Sequence, residues 1–312
     1  MDFSIIDYDP KFKPLIFDLF KKTFQKEMTL QFWKWRFENN PFGKPIIKLA
    51  FHKEQLIGNY IANPVILTCG KKSIPVLHST TTMTDPDFIG HGISSTLANQ
   101  VYDLGRDLGY NAIIGFANST SHEMFVKKLG FIDISKIKEL TISLPENLTS
   151  NFRVEKISNF NELPKIFCFD MIISSKKFST KRDIAYLNWR FKSNPENQYY
   201  CFKIVNDNDF FGYFVLKIYN KSKCHIVDFL LKENIECYNS MLNFSQEFCN
   251  KLNFNSFSIW SNHNNFSNYL DSNLINISIK DTYFILKILN QSIPKLENFD
   301  NWNISMSDSD VF

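Results

Sequence analysis

Trp35-Arg36-Phe37-Glu38-Asn39-Asn40-Pro41 is written a second time as Trp189-Arg190-Phe191-Lys192-Ser193-Asn194-Pro195, 154 residues further on. The same spacing pairs Phe32 with Tyr186 and Gly58 with Gly212, so the register runs unbroken across a helix end and the hairpin after it. Further along, Leu108–Asn118 (LGYNAIIGFAN) matches Leu252–Asn262 (LNFNSFSIWSN) at a spacing of 144. Self-similarity at this scale means one unit built twice. Ten residues are missing from the second copy. The stretch Met83–Ser95 or its surroundings is where the loss is expected, because the first copy carries glycines there.

A chain of 312 residues exceeds what one hydrophobic core usually serves. The expected division is 1–146 and 152–312, with Pro145–Phe152 as linker. Hydrophobic periodicity gives the first copy a strand at Phe3–Asp7, then helices at Lys11–Gln25 and Leu30–Glu38. Strands at Ile46–His52, Leu56–Leu67 and Ile74–Thr84 follow, the last ended by Asp85-Pro86. An amphipathic helix is predicted over Ile93–Leu108, a buried strand over Ala112–Phe116, a helix over Ser121–Lys128 and a final strand to Leu144. The fold class is therefore α/β, or α+β with a mixed sheet: two tandem domains, each a mostly antiparallel mixed sheet flanked by helices.

Composition narrows the function classes. Hydrophobic residues make up 44% and charged residues 21%, which suits packed domains rather than disorder. A net charge of +3, without any Lys/Arg-rich run, gives no nucleic-acid footprint. Six scattered cysteines, without metal-ligand spacing, read as reduced buried thiols, and no metal is expected. Met1–Pro10 lacks an apolar leader core and no run of about 18 apolar residues occurs, so the expectation is a cytoplasmic protein without a membrane span. The wealth of Phe, Asn, Lys and Ile matches an AT-rich genome, which explains runs such as Asn262–Asn265 without a functional role.

Chemistry becomes readable at Thr84-Asp85-Pro86-Asp87-Phe88-Ile89-Gly90-His91-Gly92-Ile93-Ser94. Two glycines let backbone N–H groups converge where a helix begins. That helix end offers unpaired donors and a partial positive charge, so a diphosphate can sit there without a Lys or Arg side chain. The stretch resembles the acyl-CoA loop of the GNAT N-acetyltransferase superfamily, with a proline before it, an apolar helix after it and a strand, helix and Leu129-Gly130-Phe131 beyond. The duplication makes the chain similar to the tandem GNAT proteins of bacterial surface-polysaccharide gene clusters. The resemblance implies acetyl-CoA as cosubstrate. It also implies that Thr82, Met83 and Thr84 bond the pantetheine, that Ile89, Gly90, His91, Gly92, Ile93 and Ser94 cradle the diphosphate, and that Asn118 approaches from the neighbouring strand. The chain departs from the superfamily pattern at Ile89, where Arg or Gln is usual, and at Ser94, where Gly or Ala is usual. It departs again at Val126, where the usual acid is tyrosine. The second copy, from Val227 through Cys237, has no glycine at the corresponding turn.

Acetyl transfer to an amine needs a base for the ammonium proton. His78, on the strand leading to the loop, has the right intrinsic affinity for protons. Ser79–Thr82 supply a hydroxyl run whose alternate members can face substrate or simply fill a strand. Similarity to the Eis-type tandem acetyltransferases, which place a C-terminal carboxylate in the active site, adds Asp308, Asp310 and the Phe312 carboxylate as candidates. Trp35 and Arg36 recur in a copy without the loop, which assigns them to folding. The reading is an N-acetyltransferase acting on a small-molecule amine acceptor, of the amino-sugar or nucleotide-linked amino-sugar class, by direct attack. The alternatives are a non-catalytic acyl-CoA-binding or scaffold protein and a Fem-like aminoacyltransferase, the latter disfavoured by the absence of a basic arm.

Overall fold

The computed structural model describes residues 1–143, 150–164, 177–207, 209–260, 275–290, 293 and 295–310. Phe312, Asn262, Cys168 and most of the expected linker lie outside these residues. The first copy runs β1 (Ser4–Asp7), α1 (Lys13–Phe24), α2 (Leu30–Trp33, continued by a π-turn to Glu38), β2 (Ile46–His52), β3 (Gln55–Cys69) and β4 (Lys72–Thr84). It continues with α3 (Ile93–Asp107), β5 (Ala112–Ala117), α4 (Ser119–Glu123, continued by a π-turn to Lys128) and β6 (Ile132–Ile142). The second runs β7 (Arg153–Lys156), β8 (Ser179–Thr180), α5 (Ile184–Phe191), β9 (Tyr200–Asn206), β10 (Asp209–Tyr219) and β11 (Lys223–Leu231). It ends with α6 (Ile235–Lys251), β12 (Phe257–Trp260) and β13 (Ile275–Ile288).

The chain forms two compact units. Set against the expected 1–146 and 152–312, they exchange segments: unit 1 holds Met1–Leu67, Ser73–Ser135 and Thr282–Glu297, and unit 2 holds Thr68–Lys72, Lys136–Asp281 and Asn298–Phe312. In unit 1 the strands lie in the order β1-β2-β3-β4-β5 and then the second half of β13, which pairs antiparallel with β5 from Tyr283↔Ala117 to Ile288↔Ala112. In unit 2 the order is β7-β9-β10-β11-β12 and then the second half of β6, antiparallel to β12 from Phe257↔Ile142 to Trp260↔Glu139. Each copy thus surrenders its last strand to the other's sheet. Periodicity cannot reveal this, because a strand's pattern specifies which face is buried and not which sheet it joins.

The repeat is exact in its irregularities. Ala50 pairs with Gly58 and Phe51 with Leu56, leaving Ile57 as an extra bulged residue. Ile204 pairs with Gly212 and Val205 with Phe210, leaving Phe211 extra at the same place in the repeat. The Asn-Pro corners also match, with Asn40 Oδ1 accepting from Phe42 N–H and Asn194 Oδ1 from Glu196 N–H, each at 3.0 Å.

Among the described residues, β4 pairs parallel with β5 at Leu77↔Ile113 and His78↔Ile114 in unit 1, and β11 with β12 at Cys224↔Phe257 and His225↔Ser258 in unit 2. His78 and His225 are therefore equivalent at a spacing of 147, and Ile113 and Phe257 at 144. Of the ten missing residues, seven are accordingly gone from the β10–β11 hairpin, which is shorter than β3–β4. Only three, net, are gone after it, so the expected placement at Met83–Ser95 accounts for the smaller part.

One core of unit 1 packs α3 against the sheet through Ile93, Leu97, Ala98, Val101 and Tyr102, facing Ile57, Tyr60, Ala62, Leu77 and Ile113. Another packs α1 and α2 on the opposite face through Ile16, Leu19, Trp33 and Phe37, facing Leu49, Ile61 and Met83. In unit 2, α6 covers Phe202, Phe214, Leu216, Ile226 and Phe257. Tyr200 and Phe211 border this core, and Tyr199 is buried. No helix among the described residues is long and apolar enough to cross a membrane.

Candidate functional site

β4 lies between β3 and β5, and its contact with β5 ends at His78↔Ile114. Beyond that pair the two strands have no ladder between them, although β5 stays paired to β13 as far as Ala117. A parallel pair that separates leaves main-chain donors and acceptors facing a gap. Thr82, Met83 and Thr84 form the β4 side of this gap, and Asn118 stands at the end of β5.

The segment from β4 into α3 is built to keep a helix N-terminus open. Gly90 and Gly92 have φ of 92° and 76°, a region that costs other residues strain. A Cβ on Gly90 would meet nothing within 4 Å, and one on Gly92 only Ser95 Oγ at 3.8 Å. The glycines therefore serve backbone shape, and the space over them is free. Gly92 is the N-cap of α3 and no side chain caps it, so the first-turn N–H groups remain available. α3 approaches the sheet closely because β3 carries Gly58, whose Cβ would fall 2.7 Å from Ile93 Cγ2.

The loop is anchored by Asp85. Its N–H donates to Ile57 O at 2.9 Å, and its carboxylate accepts from Asp87 N–H at 3.0 Å and from Gln55 Nε2 at 3.0 Å. Lys22 of α1 places Nζ 2.7 Å from Asp85 Oδ1 and 2.7 Å from Asp87 Oδ2. The Asp85 side chain is only 2% exposed. Burial alone would lift its pKa, but the Lys22 ammonium and the Asp87 N–H outweigh that and hold the carboxyl below its usual range. Hydrogen bonds to Asp85 and Asp87 hold the Lys22 ammonium above its own.

Of the residues expected at the cofactor, Gly90, His91 and Gly92 are exposed, and Ile89 is 70% exposed at the loop tip. Met83 and Ile93 bury their side chains in the cores, so only their main chain is available to a ligand. Thr84 and Ser94 hydroxyls bond each other at 2.6 Å. Asn118 Oδ1 caps α4, accepting from Ser121 N–H at 2.9 Å. In the hydroxyl run, Ser79 bonds Tyr60 (2.6 Å), Thr80 donates to Ile61 O (3.3 Å) and Thr82 to Thr80 O (3.5 Å).

The catalytic candidates belong to different units. His78 is buried at the point where β4 and β5 part, its ring edge-on to Phe116 at 5.7 Å. Asp308 belongs to a buried ion cluster of unit 2. Arg182 Nη2 donates to Asp308 at 3.1 Å while Arg182 Nε donates to Asp228 at 2.9 Å, and Tyr213 and Ser305 hydroxyls also donate to Asp228. Its second oxygen accepts from Ser305 N–H at 2.8 Å, so Asp308, one of the carboxylates expected as base, is engaged within unit 2. Phe312 lies outside the described residues.

Arg190 bonds Tyr199 OH, Ser307 O and Ser309 O, a folding role within unit 2. Motif reading missed the Lys22–Asp85–Gln55 clamp, since nothing in the sequence links a helix lysine to an aspartate 63 positions later. It also missed His122, which lies 3.1 Å from Asp133 and stacks on Tyr283 at 3.9 Å, tying α4 to β13. No group of His, Cys, Asp or Glu among the described residues is placed to hold a metal, and the five described cysteines are free thiols.

Residues 5–132 match the family model described as an acetyltransferase (GNAT) domain. Over its length the chain is similar to a probable N-acyltransferase of Enterococcus faecalis, with 13% identity, 93% of this chain and 73% of that one covered, and a TM-score of 0.75. It is also similar to a GCN5-related N-acetyltransferase of Anabaena variabilis, with 13% identity, coverage of 93% and 73%, and a TM-score of 0.71. A tandem GNAT protein from the clavulanic acid biosynthesis pathway gives 9% identity, coverage of 94% and 100%, and a TM-score of 0.62. At such identities the likeness is one of fold. No curated relative matches the sequence.

Proposed function

We propose that this protein is an acyl-CoA-dependent N-acetyltransferase that acetylates the amine of a small acceptor of the amino-sugar or nucleotide-linked amino-sugar class. One observation carries the donor: an uncapped α3 N-terminus, opened by two left-handed glycines, beside two strands that part. The open space over Gly90 and Gly92 fits a diphosphate held by main-chain N–H groups of Gly90–Ser94. The parted edges of β4 and β5, from Thr82 to Thr84 and at Asn118, suit a pantetheine arm. A bound donor supplies an activated thioester carbonyl. His78, at the parting point, takes the proton from the acceptor ammonium; the free amine then attacks the thioester carbonyl directly, the C–S bond breaks as the amide forms, and the departing coenzyme A thiolate takes up the proton that the nitrogen releases.

Saturating acetyl-CoA should raise the melting temperature of the wild-type protein, and no shift would overturn the reading. With an accepted amine, His78→Gln should lower kcat by about a hundredfold while leaving the acetyl-CoA KM nearly unchanged. Binding of acetyl-CoA without turnover of any amine in a broad panel would favour the non-catalytic alternative, which Val126 at the usual tyrosine position and the engaged Asp308 support.

A further inference from the structure

The phosphate loop is preceded by two carboxylates, Asp85 and Asp87, five and three residues before Gly90. An anion-binding loop next to two negative charges works against its ligand. One cation faces both: Lys22 Nζ, 2.7 Å from an oxygen of each.

The two contacts differ in kind. Asp85 is buried and fully engaged, by Gln55, by the Asp87 N–H and by Lys22, while its own N–H fastens the chain to β3. Three of the contacts that fix Asp85 do not involve Lys22. Asp87 is 74% exposed and Lys22 42%, so their pair adds little to folding, as exposed ion pairs generally do. The Lys22–Asp85 contact serves the anchor, whereas the contact with exposed Asp87 has so small a structural return that it is explained by what it does to the field of the loop.

We propose that Lys22 is an electrostatic positioning residue for the donor: by offsetting one of the two negative charges before Gly90–Ser94, it secures affinity for the phosphate end of coenzyme A. This rests on the donor reading above. Its consequence is specific, because only the phosphate-bearing half of the donor senses the charge. The pantetheine half, lying along the strand edges, does not.

The test is a titration of wild type, Lys22→Gln, Lys22→Arg and Lys22→Gln/Asp87→Asn with acetyl-CoA and, separately, with acetyl-pantetheine. Lys22→Gln leaves two carboxylates uncompensated, and acetyl-CoA should bind about five- to tenfold more weakly at low salt, the loss shrinking as salt rises. Acetyl-pantetheine affinity should stay the same. Lys22→Arg should retain wild-type affinity. The double variant restores the local net charge without restoring the bridge, and should recover acetyl-CoA binding. Equal loss for both ligands, or no recovery in the double variant, would show a steric strut and overturn the proposal, as would unchanged acetyl-CoA binding by Lys22→Gln. A wild type that binds no acetyl-CoA would instead sink the donor reading itself.

Discussion

The strand-to-helix junction exists twice, and the two versions have opposite consequences. Asp85 N–H donates to Ile57 O at 2.9 Å, and Lys232 N–H donates to Phe211 O at 2.8 Å, which marks Asp85 and Lys232 as equivalent. From there unit 1 uses Pro86–Gly92 to reach α3, whereas unit 2 uses only Glu233 and Asn234 to reach α6. The long version ends in a left-handed glycine that caps nothing. The short one ends in Asn234, whose side chain accepts from Glu236 N–H at 2.7 Å, with Glu236 adding negative charge in the first turn. A helix N-terminus attracts an anion best while its donors are unserved; an asparagine cap and a carboxylate take up that role at the second junction.

The difference extends along the strand. By the spacing of 147, Asp228 of β11 stands where β4 has Thr81, so the strand that offers hydroxyls and main chain in unit 1 carries a buried carboxylate in unit 2. Asp228 is 1% exposed and is served by Arg182, Tyr213 and Ser305. If this cluster is what replaced a ligand, it must hold the fold. Asp228→Ala leaves Arg182 buried with one fewer carboxylate and should cost about 3–5 kcal/mol in urea unfolding of the full chain. A cost under 1 kcal/mol would mean that the cluster is incidental and that the two junctions differ less than their contacts suggest.

The paired histidines sharpen the comparison next. His225 is 2% exposed; burial, then the nearby Lys280, Lys223 and Lys217, push its pKa from 6.5 down to about 3. The folded state therefore refuses a proton that the unfolded chain accepts. Stability is unaffected above about pH 6.5 and falls as pH drops from there toward 3, by roughly 1.4 kcal/mol per unit at full effect. His225→Asn should flatten this loss in melting curves taken between pH 7 and pH 4.5. An unchanged slope would place the acid sensitivity elsewhere.

What the sequence made legible divides along physical lines. The glycine turn, the helix after it and the repeat could be read because each depends on local conformation or on spacing along the chain. The strand exchange could not, since β6 and β13 have patterns that either sheet would satisfy. The Lys22 clamp depends on α1 packing beside a loop far along the chain, a contact without local signature. The partner of Asp308 was hidden for the same reason: Arg182 lies 126 positions earlier, and only the fold brings it within 3.1 Å. The thinning of the second copy was visible as a length difference, but its main position, in the β10–β11 hairpin, required strand register.

The smallest expected effects form a mirrored pair. Gly92→Val forces a β-branched residue to φ of 76°, where strain of about 1–3 kcal/mol must be relieved by moving the loop. Acetyl-CoA should then bind tenfold or more weakly, while the fold, whose cores lie on either side of the sheet, loses little. Asn234→Ala removes the cap of α6 and should cost about 1 kcal/mol of stability with no change in acetyl-CoA affinity. The two readouts thus cross over, one junction answering in binding and the other in stability. If Asn234→Ala instead gave the protein a second acetyl-CoA site by calorimetry, the cap alone would be what closes the second copy. If Gly92→Val lowered stability as much as it weakened binding, the open junction would be part of the folding machinery too, and the contrast between the copies would be one of degree.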